Sequence, residues 1–278
     1  MGRCLSIVAV VALAGCQTFA GGSGGGGGDD DGTTDGGGSG SGSGSNGGRI
    51  DVFAATTTKV VVEIDYENGQ QPYTGNMIGF GEVFAPTVTN IDRLFSGKKM
   101  VTIPTTVPEM ENIGAVNDEE ITVADIAALS MAHRNQHDSE GTKTYWMIWL
   151  SGHFADANGV QAQVLGVSIG DTVAMFKDVI KSTSSTLSPN TAIYVEQSTL
   201  VHELAHSIGL VDNGVPMVAT HKDATHGAHC NNADCVMYWL NEGASDASDF
   251  ALRRLLTGDT VLFDAACLAD VDALTGGP

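Results

Sequence analysis

The stretch Glu196-Gln-Ser-Thr-Leu-Val-His-Glu-Leu-Ala-His-Ser-Ile-Gly-Leu-Val-Asp212 decides how the chain is read. Leu200, Leu204 and Ile208 recur at helical spacing and suit a helix anchored on a core. His202 and His206 stand four residues apart, so at 3.6 residues per turn both imidazoles leave one face. Glu203 lies beside the first histidine and can reach a water held between the rings. Two neutral imidazoles and an adjacent carboxylate at this HExxH spacing suit Zn²⁺ and a base for its water. Gly209 falls where the chain must leave the helix, and glycine alone takes positive φ there without cost. Asp212, three residues further on, is an oxygen ligand placed to complete the site. The competing reading is a surface helix with two solvated histidines.

Upstream, Arg3 precedes an apolar run from Leu5 to Leu13, too short to span a bilayer, so residues 1–15 read as an export signal. Leu13-Ala14-Gly15-Cys16 resembles the lipobox of bacterial lipoproteins. That resemblance implies cleavage before Cys16 and a lipid on its sulfur. The domain would then be anchored in the bacterial cell envelope, outside the cytoplasm, at the outer membrane or the cell surface; Gln17 in place of Asp favours the outer membrane. Residues 16–48 are the lipidated cysteine and a linker of Gly, Ser and Asp that can bury no apolar area. As a flexible coil such a linker spans roughly 30 Å.

The remainder, 49–278, suits one domain. The formal charge of −20, of which only Asp29, Asp30, Asp31 and Asp35 lie in the linker, repels phosphate backbones and excludes a nucleic-acid partner. Lys59–Tyr66 alternates as a strand, with Val60, Val62, Ile64 and Tyr66 on one face. Val88–Phe95 reads as a helix, Lys99–Ile103 as a short strand, and Thr122–Arg134 as a helix with acidic residues before it. Thr144–Leu150 is apolar throughout and reads as a central strand buried on both faces. Val164–Ile169 and Val173–Phe176 are two more short strands about Gly170-Asp171, and Phe263–Leu274 is a last helix. The expected class is α+β, with an α/β-like first part and a helical tail.

After Asp212 comes a loop with His221, His226 and His229, then Cys230-Asn-Asn-Ala-Asp-Cys235-Val-Met237-Tyr238. In an exported chain a local Cys230–Cys235 disulfide is the expected reading, and it would pin Met237 in a tight turn. A zinc knot of these cysteines with neighbouring histidines competes with it. Cys267 is left over, a small buried residue of the last helix.

His202-Glu203-x-x-His206-x-x-Gly209-x-x-Asp212, followed by a methionine turn, resembles the metzincin metallopeptidases. Asp in the third position is most similar to the snapalysin type, and Cys235-Val-Met237 is similar to the archaemetzincins. The resemblance implies a mixed sheet with packed helices, the zinc helix at a cleft floor, and Met237 below the metal. It also implies a monomeric zinc endopeptidase acting on peptide or protein, with Zn²⁺ on His202, His206 and Asp212 and Glu203 as base. Tyr238 follows the methionine directly, so the role of a tyrosine two residues after it does not transfer. No cysteine lies between Gln17 and Cys230, so none upstream can block the zinc as a thiolate.

Other third ligands remain open: His221, His226, His229 or Glu242. Asn241-Glu242-Gly-Ala-Ser245-Asp246 is similar to the NExxSD of gluzincins, although a helix cap explains it as well. A non-peptidase zinc hydrolase and a non-catalytic zinc-binding lipoprotein are the rival functions. A substrate strand is expected along Val164–Ile169.

Overall fold

The computed structural model describes residues 52–78, 81–95, 97–185, 189–257 and 260–276. The expected signal peptide, Cys16 and the linker lie outside them. Strands β1 (Lys59–Tyr66), β2 (Asn76–Met77) and β3 (Gly81–Glu82) lead to helix α1 (Ala85–Leu94). Then follow β4 (Met100–Thr102), β5 (Glu111–Asn112), β6 (Glu120–Ile121), α2 (Val123–His133) and β7 (Thr142–Leu150). After β8 (His153–Asp156) and β9 (Gly159–Gln161) come β10 (Gly166–Ile169), β11 (Thr172–Phe176) and α3 (Lys177–Ser182). Helices α4 (Thr191–Ile208), α5 (Ala244–Thr257) and α6 (Ala265–Thr275) finish the chain.

The main sheet runs β10-β11-β7-β1-β4, with β5 pairing the far end of β1. β4, β5, β1, β7 and β11 are parallel, and β10 alone is antiparallel, on the edge. The class is therefore α+β with a mixed sheet, as expected. β7 is the centre: Lys143 to Leu150 are all buried, so the strand reads as a continuous apolar run rather than an alternation. β1 does alternate, and Val60, Val62 and Ile64 face the core. A hairpin at Gly170, in left-handed φ, joins β10 to β11 and turns β10 back along the sheet edge.

α4 packs over β10 and β11 and against α1 and α5. All eighteen of its residues are buried, which rules out the surface-helix reading of its histidines. Burial of its Glu196 is compensated locally. Glu196 pairs with buried Lys177 and accepts a 2.7 Å hydrogen bond from the Tyr73 backbone N–H, while the Lys177 ammonium lies 3.3 Å from the centre of the Tyr73 ring. Burial pushes the Lys177 pKa down and the Glu196 pKa up. At the start of β7, buried Lys143 bridges Asp138 (2.7 Å) and Asp171 (2.5 Å).

Asp65, at the end of β1, is 1 % exposed and accepts a 2.7 Å bond from Trp146 Nε1. Burial drives its carboxyl up from 3.8 to about 7; the Trp146 bond opposes this, and the Glu63 and Glu111 charges add to it. The folded chain thus holds a proton that the unfolded chain releases near pH 4. Its stabilising contribution is complete below that pH and is lost as pH rises through about 7. Asp65→Asn, which keeps an acceptor for Trp146, is expected to flatten the fall in stability between pH 4 and 7. It should melt above the wild type at pH 8 and close to it at pH 4, as read by urea denaturation across that range.

Candidate metal centre

Helix α4 brings His202 and His206 onto one face, with their Nε2 atoms 3.1 Å apart. His229, from the loop beyond the helix, adds a third Nε2, 3.2 Å from that of His206. The three rings are all buried and form a group able to hold a metal ion. Two contacts fix the tautomers. His202 Nδ1 donates to the Val236 carbonyl at 2.7 Å and His229 Nδ1 donates to the His226 carbonyl at 2.5 Å. Each bond places the proton on Nδ1 and leaves the Nε2 lone pair facing inward, the outer-partner pattern of metal-binding histidines. The Nε2 lone pairs of His202 and His229 thus both face into the group beside His206 Nε2, where a cation would satisfy them. Tetrahedral Zn–N bonds of about 2.0–2.1 Å set nitrogens about 3.3 Å apart, so the donor set fits zinc.

The expected aspartate ligand is displaced. Gly209 ends α4 at φ 105°, and its N–H bonds the Ala205 and His206 carbonyls. A Cβ there would come within 3.0 Å of the Asn213 carbonyl oxygen, so glycine is needed for space as well as for φ. Val211 (φ 55°) and Asp212 (φ 60°) are left-handed too. This run turns Asp212 outward, where its side chain is 57 % exposed and meets Lys222 at 3.3 Å. Asp212 is not part of the histidine group able to hold a metal ion, whose third member is His229.

The remaining loop histidines have other partners. His226 bonds Asp223 at 2.7 Å and stacks on Trp239 with ring centres 3.8 Å apart, which fixes the carbonyl that orients His229. His221 Nε2 meets buried Asp270 at 2.7 Å. Burial, the largest influence, would by itself depress the His221 pKa, but the hydrogen bonds and charges of Asp270 and Cys230 together outweigh it and raise it. Glu242 closes the short 3₁₀ turn Trp239–Glu242, and its side chain is outside those described. Asn241 Nδ2 donates to the Cys235 and Val236 carbonyls at 3.1 and 3.0 Å, bracing the oxygen that holds His202.

Met237 is fully buried in a turn closed by the Tyr238 N–H on the Cys235 carbonyl, and its own carbonyl accepts from the Cys230 N–H at 2.8 Å. The expected Cys230–Cys235 disulfide is not formed: Cys230, Cys235 and Cys267 are all free and buried. α6 carries Cys267 to within 3.5 Å of the Cys235 sulfur, so three thiols and Asp264 share one pocket of side chains, a second group able to hold a metal ion. Hydrogen bonds from Cys235 and Cys267 hold the Cys230 thiol far below its ordinary value, while burial pushes Cys235 up. Asp264 Oδ1 also caps α6 through the Cys267 N–H at 2.9 Å.

Neither a protein-family model nor a curated protein sequence matches the chain. Among solved structures, it is similar to a zinc-dependent peptidase from Methanocorpusculum labreanum (strain Z). The two share 12% identity over 76% of this chain and 99% of that chain, with a TM-score of 0.41. A likeness this distant carries no argument, and the site rests on its own residues.

The ligand set makes a direct test possible. His229→Ala should weaken zinc binding by more than ~100-fold, beyond the ~10–100-fold typical of losing an outer partner. Asp212→Ala should bind as the wild type does. Competition with a chromophoric chelator measures both, and the opposite ranking would return the third position to Asp212.

Proposed function

We propose that the chain is a zinc-dependent endopeptidase that hydrolyses peptide bonds at the His202/His206/His229 centre. The observation that carries this reading is the convergence of three inward-facing Nε2 atoms beside Glu203, which follows His202 on the same buried helix. A structural zinc site is normally closed by four protein ligands, whereas three histidines leave a position for substrate or water. Zn²⁺ bound there would supply the Lewis acidity that makes water nucleophilic near neutral pH and polarises a carbonyl.

The residues of the chain do the rest. The Val236 carbonyl, braced by Asn241, holds the His202 ring, and the His226 carbonyl holds His229. The Glu203 carboxylate takes the proton of the attacking water as the new C–O bond forms. It then delivers that proton to the amine nitrogen as the C–N bond breaks. A peptide is aligned by adding as a strand to β10, which lies at the end of the sheet order and pairs on one side only among the described residues. Val164 and Ala244 tie the start of this edge to the segment after the methionine turn, through a Val164–Gly243 bridge and an Ala244 N–H bond to the Gln163 carbonyl at 3.2 Å.

The same reading keeps the lipobox-like Leu13–Cys16 as a membrane anchor, with the linker to residue 48 as its tether. Cys16→Ser should move the protein from the membrane fraction to the soluble fraction of a bacterial host; an unchanged distribution would remove the anchor. For the chemistry, Glu203→Ala should lose at least ~10²-fold in kcat on an internally quenched peptide, the usual scale for a general base, with zinc content unchanged. Turnover that survives in that variant would require another mechanism, and a zinc-loaded wild type with no turnover would leave a zinc-binding surface protein.

A further inference from the structure

Gly166, the first residue of β10, is a glycine with no need of glycine's backbone. Its φ is not among the positive values of the chain, so an L-residue could adopt its conformation without backbone strain. What it lacks is room. A Cβ built there would lie 3.0 Å from Glu203 Cγ, 3.1 Å from Met175 Sδ and 3.2 Å from the Ala174 carbonyl oxygen. The edge strand therefore runs with bare backbone against the stem of Glu203, and the fully buried Met175 closes the other side. β10 cannot retreat, because Gly166 is paired in register with Met175 of β11, and Val164 is bridged to Gly243.

We infer that Gly166 is a positioning residue for Glu203: its missing side chain sets how closely the carboxylate stem lies to the edge strand, and so where the base meets a bound peptide. The inference rests on the peptidase reading. Any side chain at 166 needs a few tenths of an ångström from its neighbours. The Ala174 carbonyl belongs to the central sheet, so Glu203 and Met175 must supply it. A base displaced on this scale loses part of its alignment with water and leaving group, while the metal ligands stay where α4 and the Val236 carbonyl hold them. An error of about 1 Å in reacting geometry can cost ~10²-fold, so Gly166→Ala is expected to lower kcat about tenfold and leave KM within about twofold.

The experiment is a double-mutant cycle on the full-length, zinc-loaded chain. Gly166→Ala is measured alone and in the Glu203→Ala background, with an internally quenched peptide, alongside zinc content. Acting through Glu203, the glycine change should lower kcat in the wild type and add nothing once the carboxylate is gone. A wild-type kcat in Gly166→Ala overturns the inference. So does an equal loss in both backgrounds, which would place the effect on the peptide track, or a loss that follows zinc content. A second arm needs no turnover: calorimetric binding of acetohydroxamate, which chelates zinc and shares a proton with a neighbouring carboxylate. Gly166→Ala should weaken that binding, by less than Glu203→Ala does, and unchanged binding overturns the inference. If the wild type binds the hydroxamate but cuts no peptide, the peptidase reading fails, and the hydroxamate arm alone decides on Gly166.

Discussion

Three imidazole nitrogens meet across 3.1 and 3.2 Å, and those of His202 and His229 are acceptors with their protons on the far side of the ring. The surrounding structure is built to maintain that arrangement. α4 is buried along its whole length, so neither His202 nor His206 can swing to solvent. The Val236 carbonyl fixes one ring and the His226 carbonyl another. Preorganisation of this kind lets a metal bind without first reordering its ligands, and it is why the outer partners matter almost as much as the ligands.

The holding elements form a continuous piece of chain. His229 is followed by Cys230, whose N–H bonds the Met237 carbonyl, and Cys235 precedes Val236, whose oxygen holds His202. The sulfur cluster thus grips both ends of the segment that orients the histidines. α6 contributes Cys267 to it and Asp270 to His221, so the last helix belongs to the support of the site as well as to the core. Asn241 completes the frame by filling two carbonyls of the methionine turn with one amide.

Much of this was legible in the residues, and the exceptions have physical causes. β1 is read to the residue because it is buried on one face and keeps a period of two. β7 is read from its unbroken apolar run. α4 begins at Thr191, ahead of the Glu196 at which the sequence reading starts it, since a helix buried on every side shows no amphipathic edge. The two-residue strands β2, β3, β5 and β6 and the one-and-a-half-turn α3 carry too few residues to show any period. The outward turn of Asp212 was not legible, because spacing along the sequence says nothing about three left-handed residues in a four-residue bend. The readable signal was His229 itself, directly before the Cys230-x₄-Cys235-x-Met237 stretch. The thiol cluster was hidden for a similar reason: its third member lies 32 residues beyond Cys235, joined to it only by tertiary packing.

His229 lies 23 residues beyond His206, so whatever joins the two rings also closes the loop between them. That loop has no helix or strand of its own. A bridging cation would act on it as a crosslink does, removing the entropy of an open chain at two fixed points. Stripping the ion would then do more than silence the chemistry: it would leave the loop to its remaining ties, the Asp270 bonds to the Val218 N–H and to His221 and the Lys222–Cys230 bridge, and so make it easier for a protease to open.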